Sequence, residues 1–226
     1  MCIFGANIIH FMQEHHLSVT RTARYFTLGS LDNNTQQVWF VLHGYGQLAQ
    51  FFIRKFEVLN DGKTFVVAPE ALSRFYLEGV TGRVGASWMT REERPQEIAD
   101  YVAYLNQLYD TVLDGQDLSQ LQINILGFSQ GNATVLRWLN SNHVRCDRLV
   151  IWAGFFANGI ADVIDPIKLA NVPTVLAYGT QDEYLVQIDL EKYGADIQMA
   201  IPHLKIVTFD GKHTVDAETL KKIASE

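Results

Sequence analysis

Gly127-Phe128-Ser129-Gln130-Gly131 is the segment of this chain whose residue types and spacing point most directly to chemistry. It follows the apolar run Gln122 to Phe128 and precedes a helical pattern from Asn132 to Leu139, so Ser129 falls on a sharp strand-to-helix turn. Such a turn strains the backbone of its central residue, and glycines two positions to either side relieve the crowding. Ser129 Oγ is thereby pushed out of the sheet. The next amide, that of Gln130, sits at a helix N-terminus, where a tetrahedral oxyanion would be stabilised.

A serine hydroxyl needs a base to act as a nucleophile, and the base needs an acid to orient it, in the chain order Ser, Asp/Glu, His. Of the histidines after Ser129, His143 ends the helix next to it and leaves little room for a strand carrying the acid. His203 stands at the start of the apolar run Leu204 to Phe209, the wrong end of a parallel strand. His213 follows that run in Asp210-Gly211-Lys212-His213 and is the base of choice. The loop after Thr174 to Tyr178 reads Gly179-Thr180-Gln181-Asp182-Glu183-Tyr184-Leu185, which makes Asp182 the orienting acid, with Glu183 and Asp210 as alternatives. A second oxyanion donor is expected from an early strand-helix loop. His43-Gly44-Tyr45-Gly46 follows Val38 to Leu42, so the Tyr45 N–H fills that role, and His43, which precedes the serine, reads as a brace for the loop.

The segment from Gly44 to Ala49 also fits the G-x-G-x-x-A pattern of dinucleotide-binding turns, with Glu70 as the ribose acid, so an oxidoreductase is one rival reading. It leaves Ser129, Asp182 and His213 without a role. A binding protein built on a hydrolase scaffold is the other rival, although such proteins often lack a triad member. No cofactor is expected. Nor is a metal, because His15 and His16 are adjacent and would face opposite ways in a strand.

These residues must be positioned by a sheet. Short unbroken apolar runs at 64–68, 122–128, 148–153, 174–178 and 204–209 read as strands covered on both faces. They alternate with helical patterns at 47–59, 94–113, 132–139, 186–194 and 215–224, which implies an α/β fold with a mostly parallel central sheet and helices on both faces. The runs Leu17 to Gly29 and Gln37 to Leu42, broken at Asp32-Asn33-Asn34, read as an antiparallel N-terminal strand pair. Residues 70–92 read as a long irregular loop of the kind that serves binding.

The chain has 226 residues, 48% hydrophobic and 19% charged, which suits one domain over residues 1–226 with its own core. Residues 1–13 read as a dispensable extension, since Met12 would serve equally as a start. A net charge of -7 disfavours nucleic acid and anionic lipid and suits a neutral or weakly polar small-molecule substrate. No run approaches the about eighteen apolar residues of a membrane span. Only two cysteines occur, and residues 2–11 lack the basic flank of a signal peptide, so the expected compartment is the cytoplasm.

Four separated motifs in one order resemble the phospholipase/carboxylesterase group of the α/β-hydrolases, which includes the acyl-protein thioesterases. They are Leu42-His43-Gly44-Tyr45-Gly46, Gly127 to Ala133, Gly179-Thr180-Gln181-Asp182, and His213 in its Gly-x-His loop. The resemblance implies a triad of Ser129, Asp182 and His213, an oxyanion hole of the Tyr45 and Gln130 amides, and cleavage of esters or thioesters. Tyr45 stands where the family usually has Leu, and the family's substrate loop is replaced by residues 75–88. The segment from Gly154 to Pro173, roughly twenty residues, is too short for a large cap domain. An open site lined by Trp88, Phe155, Tyr184 and Leu185 is therefore expected.

Overall fold

The computed structural model of the protein describes residues 12–185 and 188–226. The apolar runs become strands wherever both faces can be covered. β2 (Gln37–Leu42), β3 (Thr64–Pro69), β6 (Gln122–Phe128), β7 (Arg148–Trp152), β8 (Thr174–Gly179) and β9 (Leu204–Phe209) lie parallel to one another. With β1 (Tyr25–Leu28) they make a seven-stranded sheet among the described residues, in the order β1-β3-β2-β6-β7-β8-β9.

Alternate side chains along each strand serve two cores. On one face Val38, Phe40, Ile123 and Ile125 pack with Tyr101 and Leu105 of α2 (Arg94–Val112), Val135 and Trp138 of α3 (Gln130–Asn140), and Ile197 of α4 (Leu190–Ala200). On the other, Trp39, Val41, Leu126 and Trp152 meet Phe52 of α1 (Ala49–Phe52), Phe56 of the following 3-10 turn, and Leu220 and Ile223 of α5 (Ala217–Ala224). Helices thus cover both faces, and the fold is the mostly parallel α/β sheet that the sequence implied. The fourth helical pattern begins at Val186 and Gln187, outside the described residues. The helix itself starts at Leu190, because the Asp189 carboxylate accepts the Lys192 N–H at 3.0 Å and caps it there.

Three expectations change. The first run, Leu17 to Gly29, forms a strand only over Tyr25–Leu28. β1 is antiparallel, but its partner is β3, with Tyr25 opposite Pro69 and Leu28 opposite Val66, and not β2, which is flanked on both sides by parallel strands. Residues 70–92 are not irregular throughout. They carry a hairpin of β4 (Ser73–Tyr76) and β5 (Val84–Ser87), whose Ala86 exchanges backbone hydrogen bonds with the Gly46 N–H at 2.9 Å and the Gln47 carbonyl at 3.0 Å. The hairpin is thereby fastened to the loop after β2.

Candidate active site

The parallel register brings the strand ends to one edge. Leu42 lies opposite Gly127, Phe128 opposite Trp152, and Gly179 opposite Phe209, so the loops after β2, β6, β8 and β9 open side by side. Ser129 sits between β6 and α3 at φ 52°, ψ -117°, a left-handed conformation that a side chain rarely adopts. What holds it there is packing. A Cβ on Gly131 would lie 2.4 Å from the Leu42 carbonyl oxygen, and one on Gly127 would lie 2.6 Å from Asn132 Cα, so α3 approaches the sheet only because both are glycines. The Ser129 N–H donates to the Trp152 carbonyl at 3.0 Å. Asn132, 2% exposed, clamps the same point: its amide donates to the Ser129 and Trp152 carbonyls, both at 2.9 Å, and accepts the Trp152 N–H at 3.1 Å.

The loops after β8 and β9 are zipped together by the Thr180 N–H to the Phe209 carbonyl and the Gln181 N–H to the Gly211 carbonyl, each at 2.9 Å. This brings buried Asp182 to His213, whose Nδ1 lies 2.7 Å from Asp182 Oδ2. The other carboxylate oxygen accepts the Tyr184 N–H at 3.0 Å. The His213 ring lies between Phe128 and Tyr184, with centroids at 4.8 Å and 4.6 Å. A carboxylate on Nδ1 favours the tautomer with a free Nε2 lone pair, the form that accepts a proton. Ser129 and His213 line one cleft of about 450 Å³, and Ser129 Oγ makes no hydrogen bond among the described residues. In unliganded sites such contacts commonly tighten only when substrate binds.

The loop after β2 abuts the serine, since a Cβ on Gly44 would lie 3.1 Å from Ser129 Cβ. Neither the Tyr45 N–H nor the Gln130 N–H has an acceptor among the described residues. Beneath the loop His43 is fully buried. Its Nε2 accepts the Ala71 N–H at 3.1 Å and its Nδ1–H donates to the Gly44 carbonyl at 2.7 Å. Burial pushes its pKa from 6.5 down to about 4, against smaller opposing effects of the Gly44 carbonyl and of Glu70. The neutral ring is a fixed brace.

Of the expected wall residues, Phe155, Tyr184 and Leu185 line the cleft. Trp88 does not. It is 3% exposed, its indole N–H donates to the His43 carbonyl at 2.8 Å, and its ring lies 5.1 Å from that of His43, so the core claims it and the neighbouring Met89 faces the cleft instead. Glu70 is not available to a ribose. Burial alone would raise its pKa, but hydrogen bonds from Arg24 at 2.6 Å and Arg74 at 2.7 Å hold it below its ordinary value, and it also accepts the Ala49 N–H. Asp210 is engaged by Gln181 at 2.5 Å, and His143 by Asp110 at 2.8 Å. The half-buried Cys146 thiol, pushed up to about 12 by desolvation, is no nucleophile. Glu14, His16 and Glu93 gather within 4.8 Å of one another, all exposed and none lining the serine cleft. A larger groove of about 800 Å³ runs between residues 16–25 and α2, and Ser129, Asp182 and His213 take no part in it.

A family model described as phospholipase/carboxylesterase matches residues 24–225. The chain belongs to the phospholipase/carboxylesterase family. Solved structures share its fold at low identity. Acyl-protein thioesterase 2 of Zea mays aligns at TM-score 0.67 and 16% identity, covering 90% of this chain and 97% of that one. A carboxylesterase of Bacillus cereus aligns at 0.61 and 13%, covering 90% and 92%. A phospholipase/carboxylesterase of Dyadobacter fermentans aligns at 0.60 and 17%, covering 92% and 97%. Among curated proteins no sequence matches. No helix among the described residues is long and apolar enough to cross a membrane.

Several side chains that line or brace this cleft are not marked by the sequence motifs. The Gln130 side chain accepts the Trp88 N–H at 3.1 Å and donates to the Met89 carbonyl at 2.9 Å, tying the segment after the hairpin to the helix that follows Ser129. Thr134 and Arg137 line the cleft from the same helix. Their spacing from Gln130, four and seven residues, is a helical stripe and was the one available signal.

Proposed function

We propose that the protein is a serine hydrolase that cleaves carboxylic esters or thioesters through an acyl-enzyme. The observation that carries this is the 2.7 Å contact between His213 Nδ1 and Asp182 Oδ2, with the same imidazole lining one cleft with Ser129. In the first half-reaction Ser129 Oγ bonds to the acyl carbon and its proton passes to His213 Nε2. The bond to the leaving oxygen or sulfur then breaks, and that atom takes the proton from His213. In the second, water gives a proton to His213 and its oxygen bonds to the acyl carbon. The Oγ–carbon bond breaks and the proton returns to Ser129. Asp182 orients the ring and stabilises the imidazolium. The Tyr45 and Gln130 amides are the oxyanion donors, each worth on the order of 3 kcal/mol in the transition state.

The test is labelling with a fluorophosphonate probe. Wild type should label and turn over short p-nitrophenyl esters, and Ser129→Ala should do neither. Equal labelling of both proteins would refute the assignment. The proposed compartment is the cytoplasm, and a cell fractionation that recovered the protein elsewhere would overturn it.

A further inference from the structure

The cleft beside Ser129 is apolar on most of its wall, through Met89, Ala133, Ala153, Phe155, Phe156 and Leu185. Helix α3 interrupts that wall. Gln130, Ala133, Thr134 and Arg137 all line the cleft, at the i, i+3, i+4, i+7 spacing of one helix face that begins at the residue after the serine.

The Arg137 side chain is 11% exposed and poorly compensated. Its Nη1 reaches the Met89 thioether at 3.2 Å, and its Nη2 lies 4.0 Å from Asp162 Oδ2. That carboxylate oxygen already accepts Arg94 Nη2 at 3.0 Å. Two guanidinium groups thus share one carboxylate, and burying a cation without a full partner is costly unless something else supplies the partner. Thr134 is 1% exposed, and its Oγ1 has no hydrogen-bond partner among the described residues. A helical threonine commonly bonds the carbonyl one turn back, and this one does not. A hydroxyl without a partner and a guanidinium whose neighbouring carboxylate is taken by Arg94, one turn apart on the wall of an apolar cleft, match the donor set that binds a carboxylate.

We propose that Arg137 and Thr134 form a subsite for a substrate carboxylate, so that the preferred substrate is an ester or thioester bearing a negative charge away from the scissile bond. This rests on the hydrolase reading above. It departs from the neutral substrate suggested by the overall charge of -7, because a largely buried guanidinium at the cleft outweighs distant surface charges that water screens.

The experiment compares kcat/KM for p-nitrophenyl half-esters of succinate, glutarate and adipate with the neutral butyrate, valerate and hexanoate esters. A second arm places the charge on the alcohol, as butyrate esters of 4-hydroxybenzoate and of its methyl ester. Wild type should prefer the charged member in one arm by at least roughly 10-fold, and the arm that does so locates the charge on the acyl or the alcohol side. Arg137→Gln should collapse that ratio by roughly 10- to 100-fold, the loss expected for a charge-assisted hydrogen bond. Arg137→Lys should keep part of the preference. Thr134→Val should lower it, and reads the same ratio should Arg137→Gln fail to fold. Arg145→Gln, which alters an exposed arginine bonded to Asp147, should leave the ratio at its wild-type value. Equal rates for charged and neutral esters in wild type, or an unchanged ratio in Arg137→Gln, would overturn the subsite while leaving the hydrolase reading intact. Failure of wild type to take the fluorophosphonate or to hydrolyse any ester would remove both.

Discussion

His213 Nδ1 and Asp182 Oδ2 lie 2.7 Å apart although they come from loops after different strands, and backbone hydrogen bonds between those loops set the distance. Replacing the carboxylate by an amide tests what that contact does. Asp182→Asn keeps the size but lets the side-chain NH2 donate to Nδ1, which stabilises the wrong tautomer. We expect kcat on a short p-nitrophenyl ester to fall by about 10³- to 10⁴-fold, with the melting temperature within a few degrees of wild type. A loss below tenfold would show that Asp182 does not orient the base.

Ser129 stores backbone strain, at φ 52° and ψ -117°. Ser129→Gly should relieve a penalty of about 1–3 kcal/mol, offset in part by the greater freedom of glycine in the unfolded chain. The expected net gain is about 1 kcal/mol, or roughly 2–4 °C in Tm. Ser129→Ala keeps its Cβ and should not share that gain. Both variants should be inactive. Thermal unfolding of the pair is the measurement, and equal Tm values would count against strain at this residue.

His43 makes stability depend on pH. Burial holds its pKa at about 4 in the fold against 6.5 ordinarily, so between those values the unfolded chain binds a proton that the folded one does not. Its contribution is complete above pH 6.5, declines as the pH falls, and is gone below pH 4, a total of about 3 kcal/mol. Urea unfolding from pH 7 to pH 4 should show this slope in wild type and a flatter one in His43→Gln. Parallel slopes would place the titration elsewhere.

Asn132 holds three backbone groups around the serine. In Asn132→Ala the buried Trp152 N–H loses its partner, while the Trp152 carbonyl keeps the Ser129 N–H and the Ser129 carbonyl keeps the residue-132 backbone N–H, which should cost about 2 kcal/mol and roughly 4–8 °C in Tm. The turn that aims Ser129 should loosen as well, lowering kcat more than it raises KM. Calorimetry with steady-state kinetics checks both. Unchanged stability would mean that water replaces the amide.

The chain order Ser129, Asp182, His213, the strand runs and most helix limits were readable from the sequence, because they follow from chain-local causes. Periodicity is fixed by backbone geometry, and a residue just past a parallel strand is delivered to one edge of the sheet whatever its distant neighbours are. Pairing β1 with β3, fastening the 73–87 hairpin to Gly46 and Gln47, and choosing between adjacent residues at the cleft were decided only by the tertiary structure. Trp88 and Met89 show why. Outside regular structure nothing local sets which way a side chain points, and the bulkier ring won the buried place against His43. Arg137 shows the same from within a regular helix. Nothing local to the helix brings its guanidinium to the Met89 thioether at 3.2 Å, a contact that only the segment after the hairpin supplies and that sets it on the cleft.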